Sequence, residues 1–179
     1  MTLTRLLLLL ALAACKHGPP EAAGAPKELP APFDADALRA GLPVGTTVLY
    51  RLSAPEAPPM LTSWVVVQAD EEGLVVQNTM LDDNRDPIGD GVALEKSWEA
   101  MEAESRPTPG SELLDLGKQP MALGTLKVTS YFVPNPADEA KIDIITYSKQ
   151  HPGPPVKLES EVNGEIVLTM EAIEWTVGP

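Results

Sequence analysis

Of the 179 residues, 26 are Asp or Glu and 13 are Lys or Arg, giving a formal charge of −13 and a pI near 4.4. That balance argues against nucleic acid as a partner, because a phosphate backbone has to be met by clustered cations. An apolar fraction of 44% excludes wholesale disorder, and the length fits one domain with a tail. The 19 prolines, set against three Trp, three Tyr and two Phe, predict short elements, many turns and an aliphatic core.

Met1 to Arg5 is positively charged and Leu6 to Ala13 is a short apolar run, well below the roughly 20 residues that span a bilayer. A charged start, a brief apolar stretch and small residues predict an export signal over residues 1–14, which stands outside the fold. The signal ends in Leu12-Ala13-Ala14-Cys15, which resembles the lipobox of bacterial lipoproteins. The resemblance implies a diacylglycerol on the Cys15 thiol, cleavage between Ala14 and Cys15, and acylation of the new amino group. The chain would then be held in a membrane by its N-terminal acyl chains. In Gram-negative lipoproteins an Asp after the Cys retains the protein in the inner membrane. Here Lys16 stands in that place, so the resemblance implies the outer membrane, facing the periplasm or the cell surface, with a Gram-positive surface as the alternative. The plainer reading of Cys15 is a small buried residue behind an ordinary secretory signal. It is the only Cys, so the domain must be stabilised by burial and not by disulfides.

Lys16 to Pro32 contains five prolines and no hydrophobic period, so residues 15–32 read as a lipidated flexible tether. Its length corresponds to roughly 20–25 Å as a coil and roughly 50 Å as polyproline II. His17 falls in this stretch, where a solvated imidazole is expected.

Residues 33–179 form the predicted β-rich domain. It opens on a short helix, Ala35 to Ala40, with Asp34 as cap, Phe33 and Leu38 as a hydrophobic staple, and Gly41 as a left-handed stop. Alternation then predicts strands at Thr46 to Ser53, Leu61 to Ala69 and Leu74 to Leu81, the last two joined by Asp70-Glu71-Glu72-Gly73. A longer helix is expected from about Val92 to Ser105. Leu94, Trp98 and Met101 share one face of it, Asp90 serves as its cap, and Arg106-Pro107 ends it. Further strands are predicted at Gly124 to Val133, Lys141 to Ser148, Val156 to Val162 and Glu165 to Val177. Asn163-Gly164 marks a tight hairpin between the last two. This order predicts a mainly β fold, one curved antiparallel sheet or open half-barrel with two covering helices.

Val65-Val66-Val67, Leu74-Val75-Val76 and Ile144-Ile145 place apolar groups on both sheet faces. Either the helices complete an ordinary core there, or the curved sheet leaves an apolar groove for an acyl chain or similar ligand. Trp64, Trp98 and Trp175 are the candidate lining residues, with a plain core role as the competing reading. The stretch from Tyr147 through His151-Pro152-Gly153-Pro154-Pro155 to Lys157, and the hairpin into Leu168-Thr169-Met170-Glu171, resemble the end of bacterial lipoproteins with half-barrel sheets. Periplasmic carriers similar to the lipoprotein-localisation proteins share that broad architecture. The resemblance implies an open antiparallel sheet and a hydrophobic ligand.

Catalytic patterns are missing. There is no G-x-S-x-G elbow, His151 reads as an exposed loop residue, and no His/Cys cluster has zinc spacing. Asp82, Asn84 and Asp86 alternate like the first ligands of a calcium loop, but Pro87 and Ala93 occupy the places that need Gly and Glu. Lys157, Glu159 and Glu161 read as a solvent-facing strand face. The expected function is therefore a membrane-anchored envelope binding or interaction module without catalysis, cofactor or metal, with an envelope protein as partner. The alternative is a carrier or sensor of a lipid or other hydrophobic ligand.

Overall fold

The computed structural model describes residues 28–179. The signal, Cys15 and the tether up to residue 27 lie outside the described residues. Among the described residues nine strands form one sheet, β1 Thr47–Ala54, β2 Ala57–Ala69, β3 Gly73–Leu81, β4 Val92–Ser97, β5 Glu112–Met121, β6 Gly124–Asn135, β7 Asp138–Ser148, β8 Lys157–Val162 and β9 Glu165–Thr176. Helix α1 is Ala35–Gly41 and α2 is Trp98–Ser105. The strand order is β4-β3-β2-β1-β9-β8-β7-β6-β5, every neighbour is antiparallel, and the curved sheet stays open.

The path explains the shape. From β1, beside the central β9, hairpins step outward to the β4 edge. One long connection, α2 and residues 106–111, then carries the chain to the opposite edge, from which β5 to β9 step back to β1. Because that connection has to pass over a face of the sheet, α2 lies across it, and α1 packs beside α2. Seven- and eight-residue helices are not stable alone, so each is held by what it buries. Leu38 and Leu42 are 2% and 0% exposed in and after α1, and Trp98 is 1% exposed in α2. Burying a side chain of this size contributes about 1.5–3 kcal/mol. The Trp98 indole N–H also donates to the Asp70 carbonyl at 3.0 Å, and the Glu102 carboxylate accepts from the Ala35 amide at 3.1 Å.

Phe33, Leu38, Leu42, Val66, Leu74, Val76, Trp98, Tyr131 and Tyr147 form the largest cluster between helices and sheet. Contact with the sheet begins before Phe33, since Leu29 packs against this cluster and the Pro30 carbonyl accepts from the Tyr131 hydroxyl at 3.1 Å. A second group, Val48, Tyr50 and Ala172, and a third, Leu126, Val128 and Val156, both meet Trp175.

Local expectations met different fates. Asp34 caps α1, its carboxylate accepting from the Ala37 amide at 2.8 Å. Asn163 and Gly164 take φ of 54° and 84°, the tight turn their types favour. Gly41 is not a left-handed stop but a close approach, where a Cβ would fall 2.8 Å from Pro152. Gly73 is required for a similar reason, because a Cβ there would lie 2.2 Å from the Lys96 carbonyl oxygen.

Two strands were hidden. The long helix expected from Val92 is strand β4 followed by α2, with Ser97 as the cap in place of Asp90. Leu94 and Trp98 are spaced for one helix face, but Val92, Leu94 and Lys96 also alternate, and β3 offers them a free edge, with Val76 opposite Leu94. Strand β5 is an edge strand that carries Pro120 and a bulge at Leu116. There Gly117 has φ 64° and its amide donates to the Asp115 carboxylate at 3.0 Å. Gly and Pro inside a run disguise an edge strand as a loop.

Candidate functional site

Direct cross-strand partners share a sheet face. Opposite pairs therefore build rows: Leu94–Val76–Val66 on β4, β3 and β2, and Asn78–Trp64–Val48–Trp175 from β3 to β9. These rows lie under the helices, and their fit is incomplete. Between α2, the β2–β4 edge of the sheet and the Gly153–Pro155 segment is a cavity of about 320 Å³. Its apolar walls are Leu38, Trp64, Val76, Leu94, Met101 and Tyr147. The polar side chains are Asn78, Lys96, Glu104 and Ser105.

One wall of the cavity is tied back to the sheet. Tyr50 donates its hydroxyl to the Pro155 carbonyl at 2.9 Å, which holds the proline-rich segment in place. Phe33, Tyr131 and Tyr147 pack edge to face, with centroids 6.0 and 5.9 Å apart, at the side where a separate cleft of about 250 Å³ lies against β5–β7. Lys96 of β4 and Glu104 of α2 form an ion pair bridging strand and helix. Glu104 is the more open partner, with 59% of its side chain exposed against 31% for Lys96.

Titration sets the chemistry of this region. Burial pushes the Tyr147 phenol up to about 12, with Tyr131 adding to the shift. Burial, and then Tyr147, raise Tyr50 further still. Both stay neutral over the ordinary pH range. His151 is half-buried and not the exposed loop residue expected, because its ring rests on Trp175 with centroids 4.9 Å apart. Burial lowers its pKa, which keeps the ring neutral near pH 7.

The predicted site residues part company. Trp64 lines the cavity. Trp98 is core, 1% exposed and hydrogen-bonded to Asp70. Trp175 lies across the sheet against His151 and Gly153, and its buried indole N–H has no partner among the described residues. Cys15 is outside the described residues. Lys96 and Glu104 were not foreseen as a pair, since a helix running through both predicts no contact at a spacing of eight. Among the described residues no His, Cys, Asp and Glu side chains gather as a metal site. The Asp82 carboxylate accepts from the Asn84 and Asp86 amides at 2.8 Å each, and Arg85 turns away to Glu174.

No protein-family model and no curated protein sequence matches this chain. Among solved structures, it is similar to a LolA superfamily protein from Nitrosomonas europaea at 10% identity and a TM-score of 0.26, over 84% of this chain and 94% of the other. A likeness that low carries no argument about function.

Proposed function

We propose that this chain is an exported binding protein, tethered to a membrane through Cys15, that holds a small apolar or amphiphilic ligand beneath α2 without acting on it chemically. The observation that carries the reading is the cavity of about 320 Å³ walled by Leu38, Trp64, Val76, Leu94, Met101 and Tyr147, within the size and character of small-molecule sites. At roughly 30 Å³ per heavy atom, the share of a water molecule in the liquid, it has room for about ten. The occupant is therefore a short chain or the end of a longer one. The anchor reading rests on Leu12-Ala13-Ala14-Cys15 behind the leucine run, and Lys16 favours the outer membrane.

Native mass spectrometry of the gently extracted protein tests the ligand. A co-purifying small mass is expected, and its absence over repeated preparations would sink the reading. The anchor is tested apart from it: Cys15→Ser should leave the membrane fraction, and unchanged partitioning would refute lipidation.

A second reading, a protein-interaction module, is favoured by one observation. Edge strand β5 exposes Leu113, Leu114 and Leu116 by 42%, 47% and 38%, a surface on which another strand could add.

A further inference from the structure

The geometry points to a single-chain amphiphile with an anionic head, its tail beneath α2 and its carboxylate or equivalent on the Lys96 ammonium. This inference rests on the ligand reading above and names the class of ligand.

Polarity in the cavity is graded. Leu38, Val76 and Tyr147 are buried, whereas Leu94 is 41% exposed and Glu104 carries most of its side chain in water. Among the described residues, Lys96 is the one cationic side chain on the wall and Glu104 the one anionic side chain. Lys96 lies opposite Leu74, itself 2% exposed, so it stands on the covered face of the sheet. Glu104 reaches it from α2. The two partners are unequal. An entering anion can replace Glu104 on Lys96, leaving Glu104 to hydrate where it already meets solvent. A cationic head would have to take Glu104 and leave the more buried ammonium unpaired, which is the costly arrangement. A neutral head gains at most a hydrogen bond from either, weaker than a paired charge. The overall charge of −13 opposes an anion at long range, but salt limits that field to about 8 Å at physiological ionic strength. The contact at Lys96 lies inside that distance.

The test is calorimetric titration of the full-length protein with decanoate, decan-1-ol and decyltrimethylammonium, three ten-carbon chains that differ in head charge. Decanoate should bind tighter than decanol, by at most about fivefold, the ratio given by an ion pair worth about 1 kcal/mol, because the Lys96–Glu104 pair is given up in exchange. Lys96→Met should abolish that preference while decanol still binds. Glu104→Gln, which removes the competing carboxylate, should strengthen decanoate binding. These opposite directions keep the assignment open to refutation if Lys96→Met alone fails to fold. Equal affinity for decanoate and decanol, tighter binding of the cationic chain, or no gain in Glu104→Gln would overturn the head-group assignment and leave the ligand reading standing. Failure of all three chains to bind would overturn both.

Discussion

Two parts of the same sheet face carry the same kind of residue and meet different fates. Under α1 and α2, Val66 and Val76 are 0% and 3% exposed. Further along that face the cross-strand row Leu158–Met170–Leu52–Met60 is equally apolar, yet it is only half-buried, and Met60 is 51% exposed. Alternation puts both rows on one side. Cover separates them, because the α2 connection crosses the sheet at one end only. Burial in this fold is decided by where a non-local connection runs, and the cavity sits along that connection's line of contact.

The comparison breaks most readily at Trp98. Trp98→Ala should cost about 3–5 kcal/mol in urea unfolding, as removal of a large core aromatic does, and it also strips the Asp70 carbonyl of its donor. A loss below about 1 kcal/mol would mean that α2 is not held by this side chain. Tyr50→Phe is next. It leaves the Pro155 carbonyl without its hydrogen bond, at about 1–2 kcal/mol in the same assay, and should weaken decanol binding by loosening a cavity wall.

Two pH effects sharpen the covered side. The Tyr147 phenol is raised from 10.0 to about 12 in the folded chain, so the unfolded state loses its proton first. Stability is full below pH 10 and should fall between pH 10 and 12, with tyrosinate absorbance appearing together with unfolding. His151 runs the other way. Its folded pKa lies below the 6.5 of the unfolded chain, so the unfolded state binds the extra proton. Stability is full above pH 6.5 and declines as the pH drops through and below that value, and His151→Gln should flatten this acid slope. The smallest effect belongs to the uncovered row, where Met60→Ala should stay within about 0.5 kcal/mol. A loss there comparable to Trp98→Ala would show that something covers the row in solution.

Much of the fold was legible because its signals are local. Alternation located seven of the nine strands, Asp34 announced its cap, and Asn163-Gly164 fixed a turn through positive φ. Strands β4 and β5 were not legible. Leu94 and Trp98 satisfy a period of 3.6 as well as one of 2, and Gly117 and Pro120 break the pattern of an edge strand. Of the candidate lining residues, Trp64 reaches the cavity and Trp98 does not. The same residue type on two apolar runs gave no means of telling wall from core. Lys96 carried one faint signal, a cation following Leu94 at the strand period, and it meant nothing until β4 had been separated from α2.

By itself the sequence determined the elements whose causes lie within a few residues: caps, turns, alternating faces and the acidic, proline-rich, aliphatic character of the chain. Only the tertiary structure decided which apolar row is covered, where the cavity opens and that Lys96 meets Glu104. Those outcomes depend on residues brought together by the passage from one sheet edge to the other. Periodicity records which way a side chain points relative to its neighbours in the chain, and nothing in it records what arrives on that side from elsewhere.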